Sequence, residues 1–285
     1  MRWPTPASGL ISVTHVLASG EHVHTVTGGP ADGPPVVFIH GWGIHSYLWR
    51  HNVGACVAAG YRVIALDLPG HGASSVPITP GAYTLASLTA YVLEVLDSFG
   101  VQRAPIIAQS MGGRVAVELA LRAPERVSHL MLFGSVGFGE APRTVPLAGY
   151  LPLPRHVPSS LLVRRWMVAL GKAFAYGKRG TFLPDDVDAY WRAAQRPGVL
   201  QALRQALVEF DWRELTSAEL GALRLPVLVV FGTRDRTIRP RHTAALVAAL
   251  PQGRLQWIVD AGHVVNEEVP DEVNLLLLEF IRAGT

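Results

Sequence analysis

Residues 108–113 read Ala-Gln-Ser-Met-Gly-Gly, between an apolar run over 105–109 and an amphipathic stretch over 111–121. No other string in the chain restricts its fold so sharply. A strand that passes straight into a helix leaves the turning residue, here Ser110, in strained backbone angles. It also brings strand and helix so close that only small residues fit alongside. Ala108 stands two residues before Ser110, Gly112 two after, and Gly113 follows. Alanine in place of a first glycine adds one methyl group. The arrangement is that of a nucleophile elbow. Taken alone, the same serine also suits a helix N-cap.

Three further segments supply the partners such a serine needs. His40-Gly41-Trp42-Gly43 follows the apolar run 36–39, and a glycine-rich turn at a strand end can present backbone N–H groups to an oxyanion. Asp235 lies in FGTRDR at 231–236, after the apolar run 227–231, and His263 lies in DAGH at 260–263, after the run 255–259. Serine, acid, histidine is the chain order of a triad built on an α/β sheet; the trypsin-like and subtilisin-like orders differ. Each candidate stands at the C-terminal end of an expected strand, where open α/β sheets place their sites.

With these motifs in hand, the chain resembles the α/β-hydrolase fold serine hydrolases, in the group that includes bacterial carboxylesterases and cofactor-free haloperoxidase/perhydrolases. The resemblance spans residues 20–282 and rests on HGWG at 40, DLPGHGAS at 67–74, AQSMGG at 108, FGTRDR at 231 and GHVVNEEVP at 262. It implies Ser110 as nucleophile, His263 as the base that takes its proton, and Asp235 as the acid that fixes the imidazole tautomer. The backbone N–H groups of Trp42 and Met111 would then form the oxyanion hole, and no cofactor or metal is implied. His71 resembles a structural loop histidine, and His40 is expected to bond nearby backbone. Glu268 and Pro270 match the start of the last helix, where an acid and a proline suit a helix N-terminus. Relatives with an aspartate nucleophile are set aside by Ser110. Carbon–carbon bond hydrolases of ring-cleavage products carry a similar serine elbow but tend to have tryptophan where this chain has Val264. Perhydrolases share the triad. A non-catalytic ligand-binding protein on the same scaffold is the alternative of a different class.

Other candidates are weaker. Asp260 is three residues before His263 but ends a strand and suits a turn. The stretch Gly134-Ser135-Val136, where some relatives place the acid, has no carboxylate. His22 and His24 share a strand face, yet two ligands without a third make a poor metal site.

The chain has 285 residues, of which 49% are hydrophobic and 16% charged, enough for a sizeable core and too apolar for disorder. The net charge is +3 and the basic residues are scattered, without the long run that marks a nucleic-acid footprint. The single cysteine, Cys56, excludes an intramolecular disulfide and suits a reducing compartment. The first residues lack a charged-then-apolar signal pattern, and no apolar run approaches the ~18 residues of a membrane span. A cytoplasmic enzyme acting on a small hydrophobic ester is the expectation. The sequence carries no signal of oligomeric state.

Segments 11–17 and 22–27 read as a hairpin. Strands then alternate with helices at 47–59, 85–99 and 111–121, which predicts a mostly parallel, twisted sheet with helices on both faces. Between 133 and 225 the alternation stops, over too long a span for a plain loop. That span begins proline-rich (142, 146, 152, 154 and 158) and turns helical at 161–173, 184–195 and 199–209. It reads as a helical cap over residues 139–220, inserted in an α/β-hydrolase core of residues 1–138 and 221–285. Trp42, Met111, Trp166, Tyr190, Trp191 and Val264 are the candidate pocket residues. The cap is expected to govern substrate choice and to contribute little to the chemical step.

Overall fold

The apolar runs form the strands of one sheet: β1 (Leu10–Val16), β2 (His22–Gly28), β3 (Pro35–Ile39), β4 (Arg62–Leu66), β5 (Ala104–Gln109), β6 (Val127–Phe133), β7 (Val227–Gly232) and β8 (Gly253–Ile258). The computed structural model describes residues 3–5, 8–141 and 162–283. Strand order is β1-β2-β4-β3-β5-β6-β7-β8. β1 and β2 pair antiparallel, as do β2 and β4, and the rest of the sheet is parallel. The central strands are buried on both faces, which is why they read as continuous apolar runs rather than alternating ones.

Two helical layers cover the sheet, and the period-two pleat divides each strand between them. Val37, Ile39, Ile106 and Leu132 face one core, with α2 (Leu85–Ser98) and α3 (Met111–Arg122). Val36, Phe38, Ile107 and Phe133 face the other, with α1 (Val53–Ala58) and the last helix. Cys56 is fully buried on α1, and burial pushes its thiol up to about 12. After β6 come α4 (Arg165–Ala175), α5 (Pro184–Ala194), α6 (Val199–Glu209) and α7 (Ser217–Ala222); after β7 come α8 (Thr243–Ala248), α9 (Val265–Glu268) and α10 (Pro270–Arg282). No helix among the described residues is long and apolar enough to cross a membrane.

Some expectations need correction. The helix expected over 47–59 is a 3-10 turn at Ser46–Trp49 followed by the short α1. Asn266 Nδ2 donates to the Leu48 carbonyl, which a continuous helix would have given to Asn52 N–H; that N–H turns instead to Trp49 O. The helix expected over 161–173 begins in α4 at Arg165, and Leu161 and the five prolines lie outside the described residues. α7 and α8 span six residues each, too short to show a period, although Thr216 and Glu219 spell a capping box before α7. The junction expected at 220–221 falls inside α7.

Candidate active site

β5 ends at Gln109 and α3 begins at Met111, so Ser110 alone makes the turn, with φ 54 and ψ −120. Three backbone bonds hold it there. Its N–H donates to Phe133 O at 2.9 Å, and its carbonyl accepts from Gly113 N at 3.0 Å and Val136 N at 3.1 Å. The strand–helix approach explains Gly112: a Cβ there would stand 2.3 Å from His40 O.

Asp235 and His263 follow β7 and β8 and converge beside Ser110. His263 Nδ1–H donates to Asp235 Oδ2 at 2.8 Å, and Asp235 Oδ1 accepts from Thr237 N and Ile238 N, each at 2.9 Å. With Nδ1 engaged, the neutral imidazole carries its lone pair on Nε2. Gly134 backs this pair, since a Cβ there would lie 2.8 Å from His263 Nδ1 and 3.0 Å from Asp235 Oδ2. Ser110 and His263 line the same cavity, with no direct hydrogen bond between them. Such bonds often tighten only when substrate is bound.

The His40–Gly43 turn is fixed by His40. Its Nδ1–H donates to Gly41 O at 2.7 Å, and Nε2 accepts from Leu68 N at 2.9 Å. Both bonds require a neutral ring, and burial, reinforced by His71, lowers its pKa to about 3. Among the described residues no acceptor takes the backbone N–H of Trp42 or Met111. His24 pairs with Asp67 at 2.8 Å, and Asp260 pairs with Arg234 on the surface at 2.5 Å.

The helices between β6 and β7 are tied to this machinery. His263 N–H donates to Ala175 O at 2.6 Å, at the end of α4, and Gln109 Nε2 donates to His263 O at 3.3 Å. Glu268 does more than complement a helix terminus. Its two oxygens accept from Gly262 N at 2.6 Å and Gly177 N at 2.9 Å, clasping the histidine loop to the end of α4. Burial raises its carboxyl, partly offset by those N–H groups. Trp42 Nε1 donates to Leu203 O on α6 at 2.8 Å.

Between the two parts lies a cavity of about 460 Å³, walled chiefly by apolar side chains such as Ile44, Met167, Leu200, Leu203, Trp212 and Ile238. Trp42, Tyr190 and Val264 line it. Three expected pocket residues do not. Met111 is fully buried in the core beneath the sheet. Trp166 is 61% exposed, because α4 turns Met167, Val168, Gly171 and Lys172 inward and carries Trp166 outward. Trp191 is half-buried and donates through Nε1 to Val163 O at 3.0 Å.

The sequence reading missed a polar cluster in the cavity wall. Glu267 Oε2 accepts from Lys172 Nζ and Tyr176 OH, each at 2.7 Å; its Oε1 accepts from Tyr190 OH at 2.7 Å and from Arg50. Burial alone would raise this carboxyl, but Lys172 and Arg50 outweigh it and hold it at about 2. In the sequence, Glu267 is one more acid at a helix start, and its partners are 77 to 217 residues away.

Comparison with known proteins agrees with this architecture. Residues 34–270 match the alpha/beta hydrolase fold family. The chain is 30% identical over 262 residues to a 2-hydroxy-6-oxo-6-phenylhexa-2,4-dienoate hydrolase of Comamonas testosteroni, covering 88% of each. It is 29% identical over 282 residues to the AB hydrolase superfamily protein YfhM of Bacillus subtilis (strain 168), covering 94% of this chain and 96% of that one. Carboxylesterase CesB of Bacillus subtilis superposes with a TM-score of 0.78 at 22% identity, over 99% of this chain and 94% of that one. The chain belongs to the α/β-hydrolase fold family of hydrolases.

Proposed function

We propose that the protein is a serine hydrolase that cleaves carboxylic esters of small to medium hydrophobic substrates through an acyl-enzyme. The observation that carries this reading is the strained Ser110 turn opening into one apolar cavity with His263, whose Nδ1 is held by Asp235. Ser110 Oγ attacks the ester carbonyl as His263 Nε2 takes its proton. The carbonyl oxygen becomes an oxyanion, held by the N–H groups of Met111 and Trp42; one such donor is worth about 100- to 1000-fold in rate. His263 then protonates the departing alcohol. Water repeats the sequence on the acyl-enzyme, giving the acid and free Ser110. Helices α4–α6 act as the cap that shapes the pocket. The buried Cys56 fits a reducing compartment, and we place the enzyme in the cytoplasm.

A second reading, carbon–carbon bond hydrolysis of a ring-cleavage product, draws on the dienoate hydrolase relative. A panel of p-nitrophenyl esters of graded acyl length, run beside a ring-cleavage dienoate and a peracid assay, separates the readings. The ester reading expects the highest kcat/KM on a short or medium acyl ester. Turnover of the dienoate above every ester would replace it with the second reading.

A further inference from the structure

The Glu267 cluster is costly in an otherwise apolar wall. Arg50, Lys172, Asp186 and Glu267 are all buried ions or nearly so, and the hydration such groups lose on burial is offset only where their hydrogen-bonding capacity is filled. Glu267 is saturated by its four donors. Asp186 takes Tyr47 OH at 2.9 Å, Arg50 at 2.9 Å and Leu183 N at 2.8 Å. The hydroxyls of Tyr176 and Tyr190 have given their hydrogens to Glu267. Lys172 is the exception. An ammonium has three N–H donors, and among the described residues Nζ finds one acceptor, Glu267. Its other neighbours are the rings of Tyr190, Tyr176 and Phe182, at 4.6, 5.0 and 5.6 Å. Lys172, Tyr176, Tyr190 and Glu267 all line the cavity that holds Ser110 and His263.

We propose that Lys172 is a specificity-determining residue, donating from Nζ to a second, neutral oxygen acceptor of the substrate, a ketone or ether oxygen, beyond the group that reacts at Ser110. The inference rests on the cavity being the substrate site of the proposed hydrolase. The two cations and two carboxylates of the cluster balance, so recognition comes from unfilled N–H donors and not from surplus positive charge. A ligand carboxylate would meet Glu267 on the same ammonium, which disfavours it. A purely apolar substrate leaves the Lys172 donors unfilled, and buried unfilled donors are penalised.

Calorimetric titration with inert amides tests this without any turnover. The ligands are octanamide, its mono-oxo analogues with the ketone on the fifth, sixth or seventh carbon, and suberamic acid, which ends in a carboxylate. In the wild-type protein one oxo analogue should bind about tenfold or more tighter than octanamide, and suberamic acid should bind more weakly than that analogue. Lys172→Met should remove the oxo preference while still binding octanamide; if that variant does not fold, Lys172→Gln is read in its place, with the preference reduced. The proposal is overturned if no amide binds, if no oxo analogue outbinds octanamide, if suberamic acid binds tightest, or if the preference survives Lys172→Met. Ester turnover is scored separately, so loss of the esterase reading with the oxo preference intact, or the reverse, identifies which of the two is wrong.

Discussion

At the scale of single residues, Gly134 shows how tightly the acid–histidine pair is seated. It lies at φ 49, and any Cβ there would press on both His263 Nδ1 and Asp235 Oδ2. Gly134→Ala should therefore displace the pair and lower kcat on an activated ester by about 100-fold, since small misplacements of catalytic groups are that costly. KM should change far less, and circular dichroism should show a folded protein. A kcat within about threefold of wild type would mean that the pair is seated by other contacts. The placement of Ser110, Asp235 and His263 just after β5, β7 and β8 was legible because each stands in a string whose neighbours state its setting: a strand before, a tight turn around. Gly134 was not, because a glycine in a sequence carries no mark of what packs on it. Lys172 and Glu267 were not, because only the fold brings residues 95 apart together. Trp166 and Trp191 were misplaced because composition shows that a helix is rich in aromatics but not which of its faces meets the cavity.

At the scale of elements, loops at the C-terminal edge of the sheet are held by neutral histidines. His40 joins the loop after β3 to the loop after β4, and His71 Nδ1–H donates to Pro69 O at 2.8 Å within the latter. The two rings lie 5.0 Å apart. Burial lowers the His71 pKa from 6.5 to about 4, and that of His40 to about 3. As pH falls below about 6.5 the unfolded chain protonates both rings, while the fold keeps them neutral down to about 4. The unfolded state thus binds more protons across that window, and stability falls with pH; above about pH 7 these groups exert no slope. Together they are worth on the order of several kcal/mol between pH 7 and 4. Thermal unfolding should show Tm dropping by several degrees from pH 7 to 5, and His71→Asn should flatten the drop. A Tm that holds steady or rises over that range would contradict the assignment. The long strands and helices were legible from their periods. The broken helix before β4 was not, because its interruption depends on Asn266, over 200 residues further on.

At the scale of the whole molecule, the sheet gathers parts that are far apart in sequence. β3, β5, β7 and β8 deliver His40–Gly43, Ser110, Asp235 and His263 to one edge, and α4, α5 and α6, which lie between β6 and β7, contribute to the wall of the same cavity. That the strand–helix alternation stops after β6 and resumes at β7 was legible in the sequence. The attachment of the inserted helices to the histidine loop was not. Ala175 O accepts from His263 N–H, and Glu268 joins Gly177 to Gly262, contacts that no local pattern in the sequence marks. The proposed role of Ser110 as nucleophile is checked by intact-protein and peptide mass spectrometry after fluorophosphonate treatment, with p-nitrophenyl butyrate turnover measured on the same samples. Wild type should gain one phosphonyl group on Ser110. Folded Ser110→Ala should gain none and lose at least about a thousandfold in turnover. Labelling at another residue, or a folded Ser110→Ala that keeps more than about a tenth of wild-type turnover, would contradict the account.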